Sequence, residues 1–172
     1  VVRAALEKGL DLIGVCDHNS AENVLAVKRA AERHGLLVLG GMEVASSEEA
    51  HFLVFFDLDD DLLRFQELVY GHLSGTNDEK AFGQQVIADE DDGVTGGGLV
   101  VAAHVDREAF SIIGQLGFIP AGLGLDAVEV SEHTTAEEAR GRFPDCRNYP
   151  VITGSDAHTP EDIGKRHTCF LV

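Results

Sequence analysis

The sequence has few basic residues and no long hydrophobic run. Lysine and arginine number 13 against 30 aspartate and glutamate residues, which gives a formal charge of −17. Such a chain repels a phosphate backbone at long range, so we exclude recognition of nucleic acid through a basic patch. No stretch approaches the roughly 18 to 20 apolar residues of a transmembrane helix, and no signal-peptide pattern is present. We therefore expect a cytoplasmic protein that does not enter membranes.

Cysteines are also scarce, and common catalytic motifs are missing. Cys16, Cys146 and Cys169 are odd in number, far apart and without a C-x-x-C pair, which argues against a disulfide framework. The sequence contains neither the phosphate-binding G-x-x-x-x-G-K-[ST] loop nor the G-x-S-x-G turn of serine hydrolases. P-loop nucleotide binding and nucleophilic serine chemistry are therefore disfavoured.

Short apolar runs alternate with amphipathic segments, and 172 residues with 44% hydrophobic content suffice for one compact domain. The runs that predict strands are 12–16, 36–39, 51–56, 99–103, 127–130, 151–153 and 169–172. The spacing predicts helices at 1–9, 21–34, 61–70, 107–116 and 135–142. Residues 71–98 are predicted as a long loop with one short helix at 81–88. This alternation is typical of a parallel α/β arrangement.

Residues that can bind metal ions stand at the ends of these predicted strands. They are Asp17 and His18 after 12–16, Glu43 after 36–39, His104 after 99–103, and Asp156 and His158 after 151–153. Because the carboxyl ends of parallel strands lie on one face, we expect these side chains to converge. His51 opens its strand, so it joins them only if that strand enters from the same edge or the preceding loop folds over the site.

The composition of this set indicates the kind of ion. Three or four imidazoles with two or three carboxylates suit zinc, manganese or iron. They exceed what one tetrahedral ion needs, so we expect two or three ions bridged by a carboxylate such as Glu43. Asp156 and His158, at i and i+2, would lie on the same side of an extended segment. Asp17 faces away from His18 in a strand, so capping or orienting is its alternative role.

Other polar residues have ordinary explanations. Residues 159–162 carry Thr, Pro and two acids in the order of a helix start. The remaining histidines stand in helix-end or loop contexts without neighbouring ligands, and we assign them structural roles: His34, His72, His133 and His167.

Five short motifs follow one another along the chain: V-C-D-H-N, G-M-E-V, A-H-F-L-V, A-A-H-V-D-R and G-S-D-A-H. Together they resemble the PHP (polymerase and histidinol phosphatase) superfamily of metal-dependent phosphoesterases. The resemblance implies an α/β fold, a distorted seven-stranded (β/α) barrel with a two- or three-metal site at the C-terminal ends of its strands. The metal ligands it implies are His18, Glu43, His51, His104, Asp156 and His158, with Glu43 as the bridge and Glu43, His104 and Asp156 as catalytic residues.

Members of this superfamily normally open with a strand that bears H-x-H, and this chain begins after the point where that motif would stand. We therefore expect residues 1–172 to form a single PHP-type domain that is incomplete at its N-terminus.

The leading functional interpretation is hydrolysis of phosphate mono- or diesters by metal-activated water. Arg107 is a candidate phosphate contact because its guanidinium matches phosphate geometry, with a helix-surface role as the alternative. The acidic composition favours small nucleotides or short oligonucleotides as substrates and disfavours stable binding of duplexes.

Two other functions remain open. A metal-dependent amidohydrolase acting on C–N bonds would use similar ligands, although many such sites have a lysine at a strand end. None of the four lysines ends a predicted strand: Lys8, Lys28, Lys80 and Lys165. A catalytically inactive metal-binding PHP module is the third hypothesis.

Overall fold

The computed structural model describes residues 1–72 and 98–170. Its strands are β1 (Leu12–His18), β2 (Leu37–Ala45), β3 (His51–Phe56), β4 (Gly98–Ala102), β5 (Ala127–Val130) and β6 (Val151–Thr153). The helices are α1 (Val2–Glu7), α2 (Val24–Glu32), α3 (Asp59–His72), α4 (Ile112–Leu116) and α5 (Ala136–Arg142), followed by a 3-10 helix at Pro144–Asn148. In these ranges no helix has the length and apolar character to cross a membrane.

The strands form one mixed sheet in the order β1-β2-β3-β4-β5-β6. β1 and β2 are parallel, as are β4, β5 and β6, whereas β3 is antiparallel to both neighbours. The predicted parallel arrangement is thus wrong for β3. A parallel pair needs a crossover of about a dozen residues or more, and the short connection 46–50 allows only a hairpin, which Ser46 N–H closes by donating to Ala50 O.

The reversal of β3 determines where His51 lies. We use the term rim for the edge of the sheet at which β3 begins and the other strands end. His51, the first residue of β3, is therefore at the rim with the residues that terminate the other strands. His51 can therefore join the predicted ligands, because its strand enters from the same edge as the ends of the other strands.

Alternation along β2 defines an outer and an inner face of the sheet. Met42 and Val44 pack on the outer face against Val24 of α2 and Leu62 of α3. Burying each such side chain stabilises the fold by roughly 1.5 to 3 kcal/mol. Because successive residues of a strand point to opposite faces, Glu43 points to the inner face.

The sheet is curled around this inner face. Strands lie about 4.8 Å apart, so the outermost two of six would be roughly 24 Å apart in a flat sheet. The ring of His18, at the end of β1, is nevertheless only 6.3 Å from the ring of His158, shortly after β6. A curled, mixed α/β sheet agrees with an incomplete barrel, and the seventh strand stays a prediction because the described residues contain six.

The rim differs from prediction at two strands and one helix. β1 and β2 extend further than expected, so His18 and Glu43 lie within them rather than after them. The helix predicted at 107–116 begins only at Ile112, because Phe110 has a left-handed backbone with φ of 60°. Ser111 caps the shortened helix by accepting a hydrogen bond from Gly114 N–H.

The C-terminal part also departs from the sequence prediction. Residues 159–162 form turns instead of a helix start, and the Thr159 hydroxyl donates to the Asp162 carboxylate rather than accepting a backbone N–H. Cys169 and Phe170 are not in a strand, and residues 171–172 lie outside the described ranges. So does most of the predicted 71–98 loop, with its 81–88 helix.

Candidate metal centre

One carboxylate lies among several imidazoles on the inner face at the rim. The strand register places His18 beside Glu43 and pairs Ala45 with His51. His51 Nδ1 is 2.8 Å from Glu43 Oε1, and His18 Nε2 is 3.4 Å from Glu43 Oε2. One potential ligand atom from each of these three side chains lies within 4.8 Å of the other two. The fold thus assembles residues that are up to 33 positions apart.

His104 joins this group immediately after β4. Its Nε2 lies 3.5 Å from Glu43 Oε1, its ring is 5.5 Å from that of His51, and its side chain is 5% exposed. His104 Nδ1 is buried without a hydrogen-bond partner in the part of the chain that the structure describes. Buried polar atoms in proteins nearly always have a partner, so this nitrogen needs an explanation.

Glu43 is ionised in this setting. Burial raises the pKa of its carboxyl group, but hydrogen bonds from His104 and His51 and the charge of His18 lower it more. The resulting pKa is well below the ordinary value of a glutamate. An ionised carboxylate only accepts, so His51 donates its Nδ1–H to Glu43. A buried negative charge therefore sits between the imidazoles.

Asp156 and His158 reach the rim from the segment after β6. Asp156 Oδ2 lies 2.7 Å from Arg107 Nη2, and His158 Nδ1–H donates to the backbone oxygen of Asp156 at 2.9 Å. The segment is not extended as predicted, because Asp156 has a left-handed φ of 43°. The two side chains nevertheless lie close together, with His158 Nδ1 3.8 Å from Asp156 Oδ1. The structure places His158 beside His18 and Asp156 beside the predicted phosphate contact.

Glu129 is a site residue that the sequence analysis missed. It lies on the inner face of β5, its Oε2 accepts from the His104 backbone N–H at 3.5 Å, and it is 7% exposed. Burial raises its pKa to about 7, an effect that the nearby His104 opposes and the charges of Asp156 and Glu43 reinforce. The signal was available, because a charged residue inside an apolar strand is rarely buried without a role.

The remaining polar residues behave as the sequence suggested. Asp17 Oδ2 accepts a hydrogen bond from Asn23 Nδ2 at 2.7 Å, which agrees with an orienting role. His133 has a side chain that is 82% exposed. His34 follows α2, at the edge opposite the rim.

Backbone strain is concentrated around this site. Five non-glycine residues in the described ranges have positive φ, and all of them are at the rim: Asn19, Glu49, His104, Phe110 and Asp156. The left-handed region is uncommon for residues with a side chain. Such strain clusters at functional sites, where surrounding structure enforces it.

The residues present fit a divalent metal ion. Imidazole nitrogens and carboxylate oxygens are the donors that zinc, manganese and iron accept. His104 Nδ1, the buried nitrogen without a described partner, is a donor atom that an ion could engage. The ionised Glu43 supplies negative charge that attracts a cation.

Comparison with known proteins supports this interpretation of the fold. A family model described as PHP-associated (PHP_C) matches residues 137–171. No curated protein has significant sequence similarity to the chain.

Several solved structures share the fold. The lesion-specific endonuclease Q of Pyrococcus furiosus has a TM-score of 0.71 and 18% identity over 94% of this chain and 44% of that protein. A complex of endonuclease Q with a 27-mer duplex has a TM-score of 0.65 and 17% identity, covering 92% and 43%. A proposed metal-dependent phosphoesterase from Bifidobacterium adolescentis has a TM-score of 0.63 and 18% identity, over 97% of this chain and 85% of that protein. An amidohydrolase from Chromobacterium violaceum with bound sulfate has a TM-score of 0.62 and 17% identity, over 95% of this chain and 83% of that protein.

The chain spans less than half the length of endonuclease Q. At these identities the likeness concerns the fold. Together with the PHP-associated family match, it confirms the resemblance to PHP-like metal-dependent phosphoesterases.

Proposed function

We propose that this chain forms the site of a metal-dependent phosphoesterase that hydrolyses phosphate mono- or diesters. The observation that carries the proposal is the buried, ionised Glu43 with the imidazoles of His18, His51 and His104 around it. Burial removes the hydration of each charged group on the inner face, and a bound cation would offset that cost.

The proposed metal ligands are the six residues identified from the motifs: His18, Glu43, His51, His104, Asp156 and His158. Two or three manganese, zinc or iron ions would be held, with Glu43 as the bridging carboxylate. When bound, such ions activate water and stabilise negative charge on phosphoryl oxygens. Asp156 has two carboxylate oxygens, so it can hold Arg107 through Oδ2 and still offer Oδ1 to an ion.

Arg107 is the proposed phosphate-binding residue. Its side chain is 46% exposed and is held by Asp156 at 2.7 Å, so the guanidinium is oriented before substrate arrives. Arginine binds phosphate oxygens with two parallel N–H donors. Placed next to the metal ligands, Arg107 would fix the phosphoryl group at the site.

Nucleotides or short oligonucleotides are the proposed substrates. The endonuclease Q structures support nucleic acid as a substrate class for this fold, since one is in complex with a 27-mer duplex. For this chain the charge of −17 opposes contact with the long backbone of a duplex. A short substrate needs only the local contacts at the rim.

Hydrolysis assays with manganese-loaded protein test the proposal. The substrates are an aryl phosphate monoester and the corresponding diester, and the variants are His158→Ala at the rim and His34→Ala at the opposite edge. We expect hydrolysis by the wild type and by His34→Ala, with a loss of at least about 100-fold in His158→Ala because a metal ligand is removed. Wild-type activity no higher than that of His158→Ala would sink the proposal.

A metal-dependent amidohydrolase is the second candidate, favoured by the shared fold of the Chromobacterium violaceum enzyme. In many amidohydrolases a lysine at a strand end becomes a carbamate that bridges the metal ions, and none of the described lysines is available for this role. Lys28 pairs with Asp59 and Lys165 pairs with Asp162, while Lys8 ends α1. Hydrolysis of an amide substrate with no cleavage of either phosphoester would favour this candidate, and metal binding without any hydrolysis would favour an inactive module.

A further inference from the structure

The loop between β4 and α4 presents three different side chains at three-residue intervals. His104 belongs to the imidazole cluster, Arg107 carries an exposed guanidinium, and Phe110 carries an exposed ring. We propose that Phe110 is a stacking platform for the base of a nucleotide whose phosphate lies at Arg107. This inference rests on the proposed function for the phosphate and adds the recognition of the base.

Phe110 is attached to the centre of the site. Its ring stacks on the ring of His51 with centroids 5.0 Å apart and an interplanar angle of 22°. Its backbone oxygen accepts a hydrogen bond from His51 N–H at 3.0 Å. One ring face is therefore covered by a residue that also contacts Glu43, and Phe110 as a whole residue is still 45% exposed. An aromatic surface is thus presented to solvent directly beside the candidate metal ligands.

The conformation of Phe110 is enforced by its neighbours. A bulky residue with a φ of 60° is a clear outlier, and a chain that only needed to bury this ring would not adopt it. The preceding part of the loop is held by Asp106, which accepts hydrogen bonds from the Ser131 N–H, the Ser131 hydroxyl and the Thr134 hydroxyl. The following Ser111 is fully buried and donates to Arg107 O. Phe110 is therefore held in place rather than left to turn inward.

Stacking also suits the charge of this protein. A chain with a formal net charge of −17 has little long-range attraction for a nucleotide, so the binding affinity has to come from local contacts. Stacking of a base on an aromatic side chain does not depend on net charge and tolerates any base, since every base has a π face. Arg107 and Phe110 together would recognise the two ends of a mononucleotide.

Binding measurements on the manganese-loaded chain separate base recognition from phosphate recognition. The probes are 2-aminopurine riboside 5′-monophosphate, whose fluorescence is quenched by stacking, and ribose 5-phosphate, which has no base. For the titrations each carries a phosphonate in place of its phosphate ester, so that the protein does not hydrolyse it. The variants are Phe110→Leu, which keeps an apolar cover on His51, and Phe110→Trp, which keeps a π face. Phe118→Leu is the matched control, because Phe118 is 54% exposed and makes no ring contact with a histidine in the described part of the chain.

We expect Phe110→Leu to weaken binding of the nucleotide by about 5- to 100-fold and to leave binding of ribose 5-phosphate and the metal content unchanged. Phe110→Trp should bind the nucleotide at least as tightly as the wild type. If Phe110→Leu does not fold, this comparison of Phe110→Trp with the wild type tests the proposal in its place. The stacking role would be overturned if Phe110→Leu weakened the binding of both probes equally or of neither. Loss of nucleotide binding in Phe110→Trp would overturn it as well.

Hydrolysis of ribose 5-phosphate distinguishes this proposal from the proposed function. A wild-type protein that cleaves ribose 5-phosphate but binds the nucleotide no more tightly overturns base stacking and leaves the phosphoesterase function standing. A protein that binds the nucleotide through Phe110 but cleaves no phosphoester overturns the function and supports the platform.

Discussion

Glu43 and His51 lie on neighbouring antiparallel strands with His51 Nδ1 2.8 Å from Glu43 Oε1, and both side chains are more than nine-tenths buried. This contact exists because β3 starts at the rim, where β2 ends. Removing the hydrogen-bond partner of a buried carboxylate typically costs about 1 to 3 kcal/mol or more. The pair is therefore both a structural link between β2 and β3 and the centre of the candidate metal site.

Glu43→Gln tests the role of this carboxylate with little change of shape. We expect the affinity for Mn²⁺ to fall by more than about 10-fold, because the amide lacks the negative charge that a bridging ligand supplies. Isothermal titration calorimetry measures it. Glu7→Gln, on the exposed surface of α1, is the control and should leave the affinity unchanged. Equal affinities for wild type and Glu43→Gln would show that Glu43 is not a ligand.

Glu129 predicts a specific dependence of stability on pH in chelator-treated protein. Its pKa rises from the ordinary 4.5 to about 7 in the folded state, mainly because of burial. Between these values the folded state holds the proton more tightly than the unfolded state, so stability decreases as the pH rises and the loss is complete above about pH 7.

Glu129→Gln removes this titration. The free energy of unfolding of Glu129→Gln minus that of the wild type should increase by up to roughly 3 kcal/mol as the pH rises through this window. Urea unfolding at pH 5 and pH 8 measures it. A difference that stays constant, or that decreases with pH, would contradict the buried and largely neutral Glu129.

Gly154 leaves space for Glu129. A Cβ at Gly154 would clash with the Oε1 atom of Glu129, whereas a Cβ at Gly124 would meet no atom within 4 Å. We expect Gly154→Ala to lower the free energy of unfolding by about 1 to 3 kcal/mol, with Gly124→Ala nearly neutral. In the Glu129→Ala background the cost of Gly154→Ala should shrink, since the clashing atoms are gone. Purely additive effects would show that the two residues do not interact.

Arg107→Lys keeps the positive charge but loses the two parallel donors. If Arg107 binds the phosphate, the KM for a phosphoester should rise by about 10- to 100-fold, the equivalent of one charge-assisted hydrogen bond. The affinity for Mn²⁺ should not change. Steady-state kinetics compare this variant with Arg64→Lys, whose side chain on α3 is 77% exposed. A KM equal to that of Arg64→Lys would limit Arg107 to its ion pair with Asp156, since the structure does not place it on a helix.

Strands with clear boundaries were predictable from the sequence. β3, β5 and β6 match their predicted limits, because each is a short apolar run with polar or turn-forming residues on both sides. The convergence of His18, Glu43 and His104 followed from the rule that parallel strands end on one face. These inferences needed only local pattern and general topology.

Other features depended on contacts that sequence pattern does not encode. The spacing in 107–116 suits a helix, but the hydrogen bond from His51 to Phe110 and the strained backbone of Phe110 delay the helix to Ile112. The pairing of Asp156 with Arg107 joins two loops that are distant in sequence. Glu129 could have been found, since alternation with the outward-facing Val128 and Val130 places it on the inner face.

The most direct test of the metal centre is anomalous diffraction from crystals of the chain grown with Mn²⁺. We expect at least one anomalous peak about 2.0 to 2.3 Å from a Glu43 oxygen and from an imidazole nitrogen of His18, His51 or His104. Mn²⁺ peaks confined to other parts of the surface, with Glu43 contacting only the histidines, would contradict it.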